Sequence, residues 1–223
     1  STGDELVAVD KKPEPYQIRL SNAYTLKASL LSHGFSDLQL FHLHDNQSEI
    51  VQNLEQIFKD FDWVLLSGGV SMGKFDFVPQ VLTDLGVKPV FHKIKQKPGK
   101  PIWFGVSRNG QPVFGLPGNP VSSLVCLHRY VLPALRFSLG LESKKKYAVL
   151  KEEVKFSKPL TNFLTVKVDF SEDGRVLAQP VKSNGSGDFT SLTKSDGFLQ
   201  LPAEKDQFSA GECFPLYLWE DLC

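Results

Sequence analysis

Three loops in this 223-residue chain bring together residue types that bind anions, with scattered carboxylates beside them. The first is Ser67-Gly68-Gly69-Val70-Ser71-Met72-Gly73-Lys74-Phe75-Asp76, placed between an apolar strand and a helical stripe. Closely spaced glycines let backbone N–H groups approach an anion without Cβ obstruction, and a following helix adds partial positive charge. The loop is not a Walker A motif, because Phe75 stands where Ser or Thr would bind magnesium, and it is not G-x-G-x-x-G. A plain strand-to-helix turn with Asp76 as N-terminal charge accounts for the same pattern, and spacing alone does not separate the two readings.

The second loop, His92-Lys93-Ile94-Lys95-Gln96-Lys97-Pro98-Gly99-Lys100-Pro101, puts Lys93, Lys95 and Lys97 on one face of an extended segment. Such a run is often just a solvated face. Here, though, prolines frame Gly99 and Lys100, so Lys97 and Lys100 flank a stiff turn with little freedom to lose on binding. Phosphate or oxyanion capture is the chemistry that fits. In the third loop, Phe114-Gly115-Leu116-Pro117-Gly118-Asn119-Pro120-Val121, Pro117-Gly118 turns the chain, Asn119 caps and Pro120 takes the first helical position. It is a complete helix start by itself, yet it aims a helix N-terminus at the carboxyl edge of the sheet. The three loops are expected to converge on one rim. Asp45, Asp76, Asp4 and Glu5 belong to the same edge, and separated carboxylates beside a phosphate pocket can hold Mg²⁺. The spacing equally allows Asp45 to be a loop residue before Asn46. The histidines His33, His42, His44, His92 and His128 show no metal-ligand spacing and are read as structural or surface groups. No G-x-S-x-G elbow or Ser-His-Asp order appears, which argues against a nucleophilic hydrolase.

The elements that must hold these loops can be read from periodicity. Ser21-Asn22 is placed to cap a helix carrying Leu26, Leu30 and Leu31, with Gly34 past its end. Phe35 to Leu43 reads as a strand. Asn46 caps a helix with the stripe Ile50, Leu54, Ile57 and Phe58. Asp62 to Ser67 is the short apolar run of a doubly covered strand, and Phe77, Val81, Leu82 and Leu85 form a third stripe ending at Gly86. Val87–Gln96, Ile102–Ser107 and Pro112–Leu116 are further strands. The long helix Val121–Leu139 is expected to kink or break near Leu132, because Pro133 lies inside it. Alternation of strands and helices predicts a three-layer α/β domain with a mostly parallel sheet over residues 1–143. After the charge run Lys144–Lys146, short β-type runs separated by turn residues predict a small all-β barrel or sandwich over 144–223.

Composition narrows the function class. Hydrophobic residues make up 41% and charged residues 22%, as in an ordinary globular chain. The 25 basic and 25 acidic residues balance, so no global field holds the chain on nucleic acid or an anionic membrane, and anion recognition must be local. No apolar run is long enough for a membrane span. Cys126, Cys213 and Cys223 are far apart and odd in number, which points to a reducing cytosolic compartment.

Taken in order, Ser1-Thr2-Gly3-Asp4-Glu5-Leu6, the glycine loop with Asp76, Lys97–Pro101 and Gly115–Ser122 closely resemble the molybdopterin molybdotransferase (MoeA) family, which includes the E domain of gephyrin. The resemblance covers residues 1–140 by specific motifs and the β-rich remainder more loosely. It implies the last step of molybdenum cofactor synthesis: insertion of molybdate into adenylylated molybdopterin, with release of AMP and a requirement for Mg²⁺. By position it implies catalytic roles for Asp45, Asp76, Lys97 and Lys100. It implies a pterin-phosphate cradle of Gly68, Gly69, Ser71, Gly73, Pro117, Gly118 and Asn119, and metal ligation by Glu5, Asp45 and Asp76. A homodimeric parent enzyme in the cytoplasm, without nucleic-acid or membrane partners, follows from the same likeness. Family members carry further N-terminal domains and a strand leading into the first motif, so this chain is expected to be a fragment, incomplete for turnover. A molybdopterin adenylyltransferase, which shares the α/β domain, and a non-catalytic scaffold module are the alternatives.

Overall fold

Stripe spacing and proline placement account for most of the helices found. The computed structural model describes residues 1–69, 78–182, 185 and 188–220. In chain order these form β1 (Leu6–Val7), β2 (Ile18–Arg19), α1 (Ser21–Ser32), α2 (Gln47–Asp60), β3 (Val64–Ser67), α3 (Val78–Asp84) and β4 (Lys88–His92). Next come β5 (Gln96–Lys97), β6 (Trp103–Val106), β7 (Pro112–Leu116), α4 (Pro120–Cys126), a π-helical turn Leu127–Val131 and α5 (Leu132–Ser138). The rest comprises β8 (Lys146–Leu150), β9 (Val154–Lys155), β10 (Thr161–Phe170), β11 (Val176–Pro180), α6 (Phe189–Leu192), β12 (Gly197–Leu201), β13 (Gln207–Phe208) and β14 (Cys213–Leu218).

The chain divides into two compact units, one of residues 1–94 and 101–119, the other of residues 95–100 and 120–223. This division falls at Asn119/Pro120, upstream of the Lys144–Lys146 run, and it assigns the Lys97–Lys100 turn to the β-rich unit.

In the first unit the sheet order is β3-β7-β6-β4. β3 and β7 are parallel, while β7–β6 and β6–β4 are antiparallel. The α/β class holds, but the expectation of a mostly parallel sheet is corrected to a mixed one. Only Ser107–Gln111 joins β6 to β7, and so short a connection permits a hairpin but not a crossover. Phe35–Leu43 is not a regular strand; its pairing is a bridge from Leu43 to Thr2, with Gly3 N–H donating to Leu43 O and Leu43 N–H to Ser1 O. So few ladder bonds do not sustain a strand. The core gathers Ile50, Leu54 and Ile57 from α2, Val81 and Leu82 from α3, and Val64, Leu66, Trp103 and Val113 from the sheet, all buried.

In the second unit β11, β8, β14, β12 and β10 pair in turn, and β11 also pairs with β10, which closes a five-strand barrel. Closure removes the free edges that a small antiparallel sheet would otherwise expose. Its interior holds Leu150, Val166, Leu199, Leu201 and Phe208, each essentially inaccessible. α4 belongs with this unit through Val121 and Val125, which pack with Phe163 and Phe198. The long helix is not interrupted: α4, the π-helical turn and α5 follow one another directly, and the irregularity expected near Leu132 is the π-helical turn that precedes Pro133. An extra residue per turn there accommodates the missing proline N–H. α6 was not anticipated; Asp188 caps it by accepting from the Thr190 and Ser191 N–H groups. Among the described residues no helix is long and apolar enough to cross a membrane.

Candidate functional site

The glycine loop and the Pro117-Gly118-Asn119 turn start at the ends of parallel neighbours, β3 and β7, so the sheet itself brings them side by side. Gly68 N–H donates to Leu116 O at 3.3 Å. Among the described residues a Cβ placed on Gly118 would meet the Gly68 Cα, at 3.9 Å, and one on Gly68 would meet Thr2 O at 3.0 Å and Thr2 Oγ1 at 3.4 Å, so the two turns approach each other through glycine backbone over Thr2. Asn22, in the first turn of α1, ties them together: its Nδ2 donates to Ser67 Oγ at 3.1 Å and to Gly118 O at 2.7 Å. It is therefore not the helix cap its position predicted. α1 begins at Ser21 after Leu20 with no side-chain cap bond, and the Asn22 amide is spent on the loops instead.

Thr2 completes the floor. It is 4% exposed, its N–H donates to Ser67 O, and its hydroxyl has no hydrogen-bond partner among the described residues. A Cβ on Gly69 would lie 2.7 Å from Thr2 Oγ1 and 2.6 Å from Val78 Cγ2, and Gly69 has φ +64°, so steric room and backbone both demand glycine.

Beside this floor the carboxylates pair. Asp4 N–H donates to Asp45 Oδ2 and Asp45 N–H donates to Asp4 Oδ1, both at 3.2 Å. His44 Nδ1 lies 3.0 Å from Asp4 Oδ1. The Asp45 backbone N–H, and after it the His44 contact, hold the Asp4 carboxyl below its usual range. Asn46 fixes the position of Asp45 by capping α2, its side chain accepting from Glu49 N–H at 3.1 Å. The Glu5 carboxylate folds back over Gly3, where an added Cβ would collide with Oε2. Among the described residues no cluster of three His, Cys, Asp or Glu side chains could hold a metal by itself. Mg²⁺, however, is commonly held by one or two carboxylates together with substrate phosphates, and the Asp4–Asp45 pair is a donor set of that kind.

Of the residues singled out from sequence, Gly68, Gly69, Pro117, Gly118 and Asn119 follow the neighbouring ends of β3 and β7, Asp45 pairs with Asp4, and Glu5 lies over Gly3. Ser71, Gly73 and Asp76 lie outside the described residues. Lys97 and Lys100 are exposed and belong to the other unit, so their expected convergence with the glycine turns is not part of the first unit's geometry. Thr2 and Asn22 were missed. Both act across long sequence separations, and only the Ser-Thr-Gly-Asp-Glu-Leu motif hinted at the first.

A family model described as a probable molybdopterin binding domain matches residues 1–136, and one for the MoeA C-terminal region (domain IV) matches residues 147–219. The chain belongs to the MoeA family. A molybdopterin molybdenumtransferase from Synechocystis sp. is 44% identical over 220 residues, covering 98% of this chain and 54% of the relative. The molybdenum cofactor synthesis protein cinnamon of Drosophila melanogaster is 35% identical over 224 residues, covering 96% of this chain and 37% of its own length. A crystal structure of a molybdopterin biosynthesis MoeA protein from Pyrococcus horikosii superposes with a TM-score of 0.81 at 32% identity, covering 99% of this chain and 53% of that one. The chain thus spans about half the length of the MoeA relatives it matches.

Proposed function

We propose that the protein inserts molybdate into the dithiolene of adenylylated molybdopterin with release of AMP, the last step of molybdenum cofactor synthesis. The observation that carries this reading is the close approach of the Gly68 and Gly118 backbones, tied by Asn22, with the Asp4–Asp45 pair on the segment that follows Thr2. Membership of the MoeA family and the printed names of its molybdenumtransferase relatives support it.

In this reading Gly68, Gly69, Ser71, Gly73, Pro117, Gly118 and Asn119 cradle the pterin phosphate, because backbone without Cβ atoms lets phosphate oxygens approach closely. Asp45 and Asp4, with Glu5 and Asp76 from the family motif, hold Mg²⁺, which when bound screens the charge of the diphosphate. Lys97 and Lys100 attract the molybdate oxyanion, and Asp45 and Asp76 orient the leaving phosphate. Molybdenum is bound by substrate sulfurs, so the chain needs no cysteine ligands. Cys126 is accordingly buried, and burial pushes its thiol up to about 12. The reading implies a homodimeric full-length enzyme working in the cytoplasm.

Calorimetry with adenylylated molybdopterin and Mg²⁺ tests it. Binding is expected to require Mg²⁺ and to weaken about tenfold in Asp45→Asn, the loss of one charge-assisted contact. A wild-type chain that binds neither this substrate nor AMP contradicts the proposal.

A further inference from the structure

Beneath the Lys97–Lys100 turn lies a polar side chain that neither the family motif nor the proposed reaction uses. Gln96 is 1% exposed, in β5, which pairs in parallel with β10 through Thr161↔Gln96 and Asn162↔Lys97. Its Nε2 donates to Pro98 O at 3.3 Å and to Gly99 O at 3.2 Å, and its Oε1 accepts from the Tyr130 hydroxyl. Cys126 Sγ closes the cluster, 3.7 Å from Gln96 Nε2 and 3.8 Å from Gly99 O.

Burying an amide costs free energy unless its donors and acceptor are all used, and an apolar residue would fill the space at lower cost. What the amide satisfies is the turn itself. Both turn carbonyls, Pro98 O and Gly99 O, take a donor from this one amide, and the Cys126 thiol adds a second, weaker donor to Gly99 O. Gly99 has φ +90°, and a Cβ there would lie 2.6 Å from Cys126 Sγ and 2.8 Å from Gln96 Nε2, so the turn is pressed onto this cluster. Lys97 and Lys100, on either side of it, remain exposed, with Lys97 Nζ 5.9 Å above the Phe156 ring. Tyr130 in turn is held by its own surroundings: Arg129 lies 5.1 Å over its ring and is bound to Gln200 Oε1 at 3.1 Å.

We propose that Gln96, oriented by Tyr130, is a positioning residue that fixes the Lys97–Lys100 turn in one conformation, so that its two ammonium groups meet an oxyanion without first paying an ordering cost. The proposal rests on the reading that this turn handles molybdate. Three variants of the 223-residue chain separate the ideas: Gln96→Met, which keeps shape but loses both donors and the acceptor for Tyr130; Tyr130→Phe, which removes only the hydroxyl; and Lys97→Ala, which removes a charge. The measurements are equilibrium dialysis with molybdate and, separately, with AMP, together with residue-resolved hydrogen exchange.

Tyr130→Phe is expected to speed exchange of the Gly99 and Lys100 amides about five- to tenfold and to weaken molybdate by a similar factor, the yield of one lost buried hydrogen bond, and Gln96→Met, which also loses both bonds to the turn, is expected to do so at least as strongly. AMP affinity and exchange in the barrel strands stay as in wild type. Unchanged exchange at the turn with unchanged molybdate affinity overturns the proposal. So does an equal loss for AMP and molybdate accompanied by faster exchange throughout the barrel, which marks a purely structural role. Wild type that ignores molybdate, with Lys97→Ala indistinguishable from it, instead defeats the functional reading of the turn and the proposal with it.

Discussion

At the scale of single residues, the site depends on groups whose partners are backbone. Asp4 and Asp45 each accept the other's N–H, so two carboxylates are held adjacent by main-chain donors. That arrangement has a pH signature. Because the Asp4 carboxyl is held below its usual 3.8, its contribution to the folded state is complete above that value and is lost as pH falls through the depressed one. A carboxyl NMR titration of Asp4 should therefore place its midpoint below 3.8, and His44→Ala should recover only part of the shift, since the larger cause is the Asp45 N–H. A midpoint at the usual value, or full recovery in His44→Ala, would show that the backbone contact is not formed.

Among elements, the decisive ties run between segments far apart in sequence. Asn22 bonds residues 45 and 96 positions away, Ser67 Oγ and Gly118 O, and fastens α1 to the ends of β3 and β7. Asn22→Ala should destabilise the chain by about 1–3 kcal/mol, as expected when a polar carbonyl and hydroxyl lose their donor, and urea denaturation measures this. Loss below about 0.5 kcal/mol, the range of neutral surface changes, would mean the tie is solvent-replaced. Local pattern made much of the framework legible. The Ile50–Leu54–Ile57 stripe gave α2 with Asn46 at its cap, Pro133 marked the helix irregularity, and β7 lies on the residues read from sequence. Strand direction was not legible in the same way, because two antiparallel pairings follow from loop length rather than from apolar runs. The segment Phe35–Leu43 has strand composition, but among the described residues its pairing is limited to Ser1–Gly3. Glycine motifs exposed the floor of the site. The amides of Asn22 and Gln96 stayed hidden, since a lone Asn or Gln carries no periodic signal.

For the whole molecule, the β-rich unit reaches back to own the basic turn. Gln96 and Lys97 pair with β10, and Thr161 N–H donates to Lys95 O. A piece truncated after Ser143 should thus lose the ordered Lys97–Lys100 turn while the α/β core of α2, α3 and β3 persists. Amide spectra should show the turn's resonances collapsing to unfolded positions, and their retention would contradict the assignment of this segment to the barrel. The central claim concerns chemistry. The most direct test grafts these 223 residues in place of the matching half of the Synechocystis relative and follows AMP release from adenylylated molybdopterin. The account predicts release that depends on both molybdate and Mg²⁺ and is abolished by Asp76→Asn, with the graft still folded. Release indifferent to molybdate, or undiminished in Asp76→Asn, would contradict it.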